Sequence, residues 1–408
     1  MSAGAPAAPV APVDVAVIGL GAISQSVHLP LIRRHPERFR LTAVVDLSAE
    51  RAASIARAHG VEVRAYDGVE ALLAAVAAGE VHVAGAVLAT SGSHAGDVGR
   101  LLEAGIRVLA EKPLAFSAEE IAELRATAER LGIDLEAHVR VGYMKELDPA
   151  VAEAARRLEG VRPRAVHVEV LHPADGAQLA FANLLPPPGD VPAETVAALQ
   201  EATAGIVRGA IGETEAPLPL LYTNVVLGSV IHDIGVLRRL LGGIGAVEHA
   251  RHWGGFPGSL HLAGSLERHP ETPWSLDWHF IPDYPAYRET VTVHHEQGSI
   301  RLVFAVPYVL NAPTVLELVE RAEPLGERRS ETRWMQEEAF ERELLAFADL
   351  VDGRPQPGPS VDAAAADLAV GTRMIGAIAE SLGRPLHASA GAAEAAPTPP
   401  GRAGHPEE

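Results

Sequence analysis

The stretch Val15-Ala16-Val17-Ile18-Gly19-Leu20-Gly21-Ala22-Ile23-Ser24 carries the strongest structural signal in the chain. Its first four residues are apolar without alternation, which predicts a strand covered on both faces, as in a parallel sheet. The first glycine permits a tight turn, the second lets the backbone approach a pyrophosphate, and the small Ser24 lets helix and strand pack closely. Strand, turn and helix together predict a dinucleotide-binding loop, whose candidate contacts are Gly19, Gly21, Ala22 and Ile23.

A carboxylate stands at the end of the second predicted strand. Leu41–Val45 is apolar, and Asp46 follows it directly. An acid at this place accepts hydrogen bonds from the ribose hydroxyls of the cofactor and repels a 2′-phosphate. The sequence therefore predicts NAD as the cofactor, with NADP less favoured. Arg51 lies close enough in the chain to soften this discrimination.

Two different patterns divide the chain into two predicted domains. Short apolar strands alternate with helical patterns at first, which predicts an α/β Rossmann domain over residues 13–145 with a last strand at Asp134–His138. After Gly160, strand-like runs follow one another across short turns, which predicts a mostly antiparallel sheet. Residues 146–386 are therefore expected to form a C-terminal α+β domain.

One connection within the second domain is unusually long. Residues 173–221 contain the proline run Leu184–Gly189 and a short helical pattern near Glu194–Val207. Because long connections in compact domains are usually functional, we expect a lid over the substrate cleft; packing on a partner subunit and a solvated insertion without a role are the alternatives. Its acids are candidate carboxylates for the site: Asp175, Asp190, Glu194, Glu213 and Glu215.

The composition is that of a folded protein and argues against several other classes. Of 408 residues 48% are hydrophobic and 21% charged, which excludes a fully disordered chain, and the net charge of −19 argues against nucleic-acid binding. The absence of cysteine excludes disulfides and thiolate chemistry, and the histidines show no metal-ligand spacing, so no metal is expected. No membrane helix or secretory signal is recognisable, so a cytoplasmic location is expected. The Ala/Pro-rich ends, 1–12 and 387–408, are predicted to be disordered tails.

Lysine is rare in this chain. Only two of the 34 basic residues are lysines, Lys112 and Lys145, and the others are arginines. Arginine stays protonated, whereas a buried lysine can lower its pKa and exchange a proton. Each lysine is therefore a candidate acid–base group, the alternative being an ordinary surface charge.

The residues around Lys112 resemble the Gfo/Idh/MocA oxidoreductases, whose hallmark is Glu-Lys-Pro after the fifth strand, here Glu111-Lys112-Pro113. The resemblance extends from Val13 to Leu386. Further matching segments are Thr90–His94, Gly142–Lys145 before Asp148-Pro149, Ile231–Asp233 before Leu240–Gly242, Phe340–Phe347 and Leu382–Pro385.

This resemblance implies an NAD-dependent oxidoreductase that acts on a hydroxyl or ketone carbon of a sugar, cyclitol or related substrate. Lys112 would hold the reacting hydroxyl beside the nicotinamide, and His232 would act as acid or base, since oxidation of an alcohol requires removal of its proton. The resemblance further implies a homodimer or homotetramer formed through the second sheet. It suggests cofactor contacts at Thr90, His94, Glu111 and Lys112, and substrate contacts at Lys145, Tyr143, Tyr222, Asn224 and Asp233.

One position departs from the family pattern. The aspartate expected one turn before His232 is Gly228, and Gly235 follows three residues later. Asp233 would point about 100° away on an α-helix and could not replace it. Either the bare helix face admits a bulkier substrate, or the redox site is damaged. Alternatives are therefore an NAD-using epimerase or lyase without net redox, and a non-catalytic NAD-sensing regulatory protein.

Overall fold

Six parallel strands form the first sheet of the computed structural model, which describes residues 11–174, 176, 179–355 and 357–386. The expected tails lie outside these residues, apart from residues 11 and 12, as does Asp175. The strands are β1 (Val13–Ile18), β2 (Phe39–Val45), β3 (Arg64–Tyr66), β4 (Gly85–Leu88), β5 (Arg107–Glu111) and β6 (Val139–Gly142), in the order β3-β2-β1-β4-β5-β6. The strand order reverses between β1 and β4, and this reversal leaves a crevice at the carboxyl ends of the strands.

Helices cover both faces of this sheet. They are a π-helical turn (Ser24–His28) and α1 (Leu29–Arg34), α2 (Ala49–His59), α3 (Val69–Ala77), α4 (Ala95–Glu103) and α5 (Ala118–Leu131). Val15 and Val17 of β1 belong to one apolar cluster, whereas Ala16 and Ile18 belong to the other. The unbroken apolar sequence of β1 therefore reflects burial on both sides, as predicted.

The prediction of a strand at Asp134–His138 is wrong. This segment contains a 3₁₀ turn, Leu135–Ala137, and the sixth strand follows it at Val139–Gly142. The Asp134 carboxylate accepts a hydrogen bond of 3.0 Å from the backbone N–H of Glu136. An aspartate that bonds its own backbone two residues on favours a turn over a strand.

Eight strands form the second sheet. They are β7 (Pro163–His172), β8 (Ile244–Trp253), β9 (Ser259–Leu266), β10 (Pro273–Phe280), β11 (Arg288–His295), β12 (Gly298–Phe304), β13 (Val315–Ala322) and β14 (Gly326–Arg333), in the order β14-β13-β12-β11-β7-β10-β9-β8. Only β7 and β10 pair in parallel, so the mostly antiparallel sheet is confirmed. The sequence did not predict β14, because it is exposed throughout and lacks an apolar alternation.

Helices pack on one side of the second sheet. They are α6 (Pro149–Leu158), α8 (Leu218–Leu241) and α10 (Val361–Ser381). Residues Leu221–Val230 of α8 form a π-helix. By length and composition alone α8 would suffice to cross a membrane, but 67% of its most apolar window is buried inside the protein. Such burial is typical of a core helix.

The chain returns to the first sheet near its end. Helix α9 (Ala339–Val351) packs on the outer face of that sheet over Gly85. A Cβ atom on Gly85 would lie 2.6 Å from Val351 and 2.9 Å from Phe347, so glycine makes this close packing possible. The first sheet is therefore completed by a helix from the segment predicted to form the second domain.

The long connection contains one well-formed helix, α7 (Ala193–Ile211). Its last turns bury Val207 and Ile211 in the core, and Arg384 donates a hydrogen bond of 2.9 Å to the carbonyl of Ala216. The connection is thus docked on the protein at its C-terminal end.

Candidate active site

The glycine loop has the shape that a pyrophosphate site requires. Gly19 has a φ of 86°, and a Cβ atom there would lie 2.5 Å from the carbonyl oxygen of Ala89, so only glycine fits. Around Gly21 nothing lies within 4 Å of an added Cβ, which leaves open space in front of the backbone. Ser24 closes the turn by donating a hydrogen bond of 2.5 Å to the carbonyl of Gly19. These features, with Ala22 and Ile23 opening the helix, fit a bound dinucleotide.

Asp46 is held beside this loop at the end of β2. Its carboxylate accepts hydrogen bonds of 2.9 Å from the backbone N–H groups of Leu20 and Ser48. One guanidinium nitrogen of Arg51 lies 3.8 Å from the same carboxylate. The acid therefore has the place and the fixed orientation that recognition of a ribose requires.

His94 links the two loops that border the crevice. Its Nε2 lies 3.0 Å from the carbonyl oxygen of Thr90, and its Nδ1 lies 2.8 Å from that of Pro113. The side chain is buried, so His94 holds the loop after β4 against the loop after β5. Because both of its ring nitrogens face these loops, His94 would affect the cofactor by positioning the loops and not by touching it.

Glu111 is held in place by His28, at the end of the π-helical turn that follows the glycine loop. One carboxylate oxygen lies 2.9 Å from Nε2 of the buried His28. Burial would raise the pKa of Glu111, but the hydrogen bond and charge of His28, with the charge of Lys112, outweigh it and lower the pKa. The residue before Lys112 is thus a rigidly held carboxylate.

Lys112 follows β5 directly, and its charge acts on His232 of α8. The Lys112 ammonium donates a hydrogen bond of 2.5 Å to the carbonyl oxygen of Gly228. Burial, assisted by the charge of Lys145, lowers the pKa of Lys112. Burial and the charges of both lysines hold the pKa of His232 well below its usual value, and its Nδ1 is a buried atom without a hydrogen-bond partner among the described residues. Both groups are therefore suited to accept a proton.

Gly228 contributes a backbone carbonyl at the position where the family pattern has the carboxylate of an aspartate. It lies in the π-helical segment of α8, and its backbone carbonyl binds Lys112. π-Helical turns are frequent at functional sites, because they change the spacing of side chains along a helix. The acceptor that faces Lys112 is thus a backbone group.

A buried cluster of charges surrounds the second lysine. Lys145 forms an ion pair with Glu289, which also accepts a hydrogen bond of 2.5 Å from the hydroxyl of Tyr287. Burial would raise the pKa of Glu289, but the charge of Lys145 and the hydrogen bonds lower it. Burial and the charge of Glu289 hold the pKa of Asp233 well above its usual range, which favours the protonated form of Asp233 beside Glu289.

Sequence reasoning missed Glu289 and Tyr287. Glu289 lies on β11 two and four residues before Val291 and Val293, so all three face the core side of the sheet. A charged residue at a core position of a strand is unusual without a partner. Its spacing of two and four residues from these buried valines is the signal in the sequence that could have identified Glu289 as a site residue.

The three other predicted substrate contacts differ in their positions. Tyr143 is buried, and its ring meets that of His232 edge-on at 6.5 Å. Tyr222 is also buried, but its hydroxyl donates a hydrogen bond of 2.7 Å to the carbonyl of Phe116. Asn224 is exposed and accepts a hydrogen bond from Thr223. The structure thus brings Tyr143 to His232, whereas Tyr222 and Asn224 face other surroundings.

The long connection approaches the cofactor side of the crevice. Its Asp190 accepts a hydrogen bond of 2.6 Å from the hydroxyl of Ser48, at the start of α2. In α7, Thr203 lies 3.8 Å from the point that a Cβ atom on Gly92 would occupy, in the loop after β4. Asp190 therefore does not supply the carboxylate missing at Gly228. Of the other proposed donors, Glu194, Glu213 and Glu215 are exposed.

Metal binding has no support in the described part of the chain, where no group of three or more His, Asp or Glu side chains could hold an ion. The parallel sheet and the open glycine loop at the carboxyl ends of its strands are the features of a dinucleotide-binding Rossmann fold.

Comparison with known proteins finds similarity to an oxidoreductase family in the N-terminal part of the chain. Residues 13–138 match the model of the oxidoreductase family with an NAD-binding Rossmann fold. Over these residues the chain is similar to the Gfo/Idh/MocA oxidoreductases. A curated relative, inositol 2-dehydrogenase/D-chiro-inositol 3-dehydrogenase of Shouchella clausii, is 31% identical over 147 residues, which are 36% of this chain and 40% of that relative. The match therefore spans less than half of the relative's length.

Solved structures share the whole fold at low identity. UDP-N-acetylglucosamine 3-dehydrogenase of Acidithiobacillus ferrooxidans superimposes with a TM-score of 0.63 at 20% identity, covering 90% of this chain and 98% of that one. A 3-ketoreductase from Actinomadura kijaniata, in complex with TDP-benzene and NADP, gives a TM-score of 0.62 at 17% identity, covering 90% and 96%. Both similarities concern the fold.

Proposed function

We propose that this protein is an NAD-dependent oxidoreductase that interconverts a hydroxyl and a ketone on a sugar, a cyclitol or a derivative of either. The observation that carries the proposal is the pair formed by Lys112 and His232. Both have a lowered pKa; Lys112 stands at the carboxyl end of the sheet that bears the glycine loop, and its charge acts on His232. When bound there, the nicotinamide accepts or supplies the hydride.

Lys112 would hold the reacting oxygen and exchange its proton. Its hydrogen bond to the carbonyl of Gly228 fixes the amine. In the neutral form the amine can take the proton of a substrate hydroxyl, and in the charged form it can return a proton to a ketone. His232, whose pKa is lowered by burial and by two cationic neighbours, would be the neutral second base. Lys145 is restrained by Glu289 and would bind substrate without proton exchange.

The substrate class rests on the relatives. A cyclitol dehydrogenase and a sugar-nucleotide dehydrogenase are among the proteins most similar to this chain. A Cβ atom on Gly228 would lie 3.2 Å from the backbone carbonyl oxygen of Thr223, so this glycine does not by itself make room for a bulkier substrate. We therefore propose a carbohydrate-like substrate bound between α8 and the carboxyl ends of β5 and β6.

A reaction without net redox is the second candidate. Gly228 supplies a carbonyl where the family pattern has a carboxylate, so fewer acid–base groups face the substrate. An epimerisation or elimination through a transient ketone would leave the cofactor unchanged overall. A panel of sugars, cyclitols and sugar nucleotides, followed by NADH absorbance and by product chromatography, distinguishes the two. NADH formation supports the dehydrogenase, product without NADH supports the epimerase or lyase, and neither product nor NADH would leave a regulatory NAD-binding protein.

The assembly proposed for this protein is a homodimer or homotetramer in the cytoplasm. Residues along β9 alternate between buried and half-buried, so the face of the second sheet away from its helices is only partly covered. Such a face suits pairing with a second copy of the chain. Light scattering of the purified protein tests this, and a monomer at all concentrations would refute it.

A further inference from the structure

A negatively charged side chain from the long connection occupies the start of α2. The carboxylate of Asp190 accepts a hydrogen bond of 2.6 Å from the hydroxyl of Ser48, the residue that caps this helix. It accepts another of 3.0 Å from the backbone N–H of Glu50 in the first turn. The first N–H groups of a helix lack partners within the helix and favour an anion. Asp190 is that anion, although it lies 142 residues from Ser48.

Neighbouring contacts hold Asp190 in this position. We call residues 184–190 the proline strap. The backbone N–H of Leu185 donates a hydrogen bond of 2.9 Å to the side chain of Gln25, which lies just after the glycine loop. Arg51 of α2 donates a hydrogen bond of 3.2 Å to the carbonyl of Pro186. The proline strap therefore bridges the two elements between which Asp46 stands.

The groups bound by the proline strap are those that would otherwise recognise a 2′-phosphate. A ribose held by Asp46 carries its 2′-oxygen at the end of β2, toward the start of α2. A phosphate there would be bound by a hydroxyl, a backbone N–H and a guanidinium, and Ser48, Glu50 and Arg51 carry these three groups. Each of them instead donates a hydrogen bond to Asp190 or Pro186.

We propose that Asp190 is a cofactor-specificity residue, which occupies the 2′-phosphate position from within the chain and thereby excludes NADP. The proposal rests on the proposed function, because it requires a nicotinamide dinucleotide in the crevice. Asp190 adds a second negative charge to that of Asp46 and binds two of the three donors that a phosphate would need, while the carbonyl of Pro186 binds the third. With Asp190 in this position, a chain that carries Arg51 beside Asp46 is expected to favour NAD over NADP.

The test is calorimetric titration of NAD and NADP into the full-length protein and three variants. Asp190→Ser removes the charge, and Asp190→Asn keeps an acceptor for Ser48 but loses the repulsion. Both are expected to raise the affinity for NADP by about tenfold or more, and to change the affinity for NAD by less than about threefold. Glu194→Ser is the matched control, because it removes an exposed carboxylate of the same connection, and its ratio of affinities is expected to equal that of the wild type.

Three results would overturn the proposal. An unchanged ratio of NAD to NADP affinity in both Asp190 variants would show that Asp46 alone selects the cofactor. Equal tightening of both nucleotides would mean that the proline strap blocks the whole adenosine site. If the wild type binds neither nucleotide, the proposed function fails as well, and this outcome differs from the other two. Thermal melting of each variant checks that the fold is intact.

Discussion

Replacing Lys112 by arginine tests the proposed chemistry most directly. The variant keeps the positive charge, but arginine is not deprotonated in proteins and therefore cannot take the proton of a hydroxyl. The ammonium of Lys112 lies 2.5 Å from the carbonyl of Gly228, so the larger guanidinium would also displace the substrate oxygen. Loss of a positioned acid–base group lowers turnover by roughly 10²–10⁴-fold, or about 2.7–5.4 kcal/mol in the activation barrier.

The pH dependence separates this role from a structural one. Burial and the charge of Lys145 lower the pKa of Lys112. Because the neutral amine accepts the proton, turnover in the oxidative direction is expected to rise with pH through this lowered pKa. This rise is expected to be absent in Lys112→Arg, whereas the affinity for NAD, measured by calorimetry, stays nearly unchanged.

The second lysine supplies the matched control. Lys145→Arg makes the same substitution at a residue that is ion-paired with Glu289 and is not proposed to exchange a proton. It is expected to keep the rise of turnover with pH. Steady-state kinetics on the substrate found in the panel provides the measurement. Near-normal turnover and an unchanged pH profile in Lys112→Arg would refute the catalytic role.

Three further predictions concern neighbouring elements. His232→Asn is expected to lower turnover by ~10-fold or more if it acts as a second base, and by as much as Lys112→Arg if the two act as a unit; kinetics of the double variant distinguish these, and unchanged turnover contradicts both. Glu289→Gln leaves Lys145 buried without its counter-charge and is expected to lower the free energy of unfolding by about 3–5 kcal/mol, measured with urea, whereas Asp233→Asn mimics the protonated acid and is expected to have a much smaller effect. Since the folded-state pKa of Glu289 is lowered, its contribution is present above its unfolded-state pKa and is lost as the pH falls through the folded-state value, so the difference from Glu289→Gln is expected to shrink in acid. Replacing residues 175–217 by a Gly/Ser linker is expected to impair substrate binding or turnover, as a lid would; unchanged kinetics with an unchanged oligomeric state would leave the insertion without these roles.

Local sequence patterns were sufficient to predict the structure of those segments whose conformation depends on residues close along the chain. The apolar run of β1 and the glycines after it depend on burial and on backbone conformation, which the sequence displays directly. The errors arose where local preferences compete or where the sequence carries no apolar pattern. Asp134 favoured a turn in a segment with strand-like residues, and β14 is a strand without an apolar side.

Packing between distant segments lay beyond such reasoning. Helix α9 covers the first sheet, although about 200 residues separate it in the chain from β6, the last strand of that sheet. The connection 173–221 was expected to cover the substrate cleft, whereas the contacts of its proline strap lie at the start of α2. No pattern in either segment specifies these partners, because each packs against surfaces that exist only after folding.

The sequence by itself determined the dinucleotide loop, the acid at Asp46 and the candidates Lys112 and His232, since each stands in a motif whose chemistry is local. The tertiary structure alone decided what surrounds them. It brought Glu289 to Lys145 across 144 residues and Asp190 to Ser48 across 142. The first is an ion pair buried in the folded core, and the second is a hydrogen bond at the start of a helix. Both partners of each pair meet only after folding, so no local pattern in the sequence specifies them.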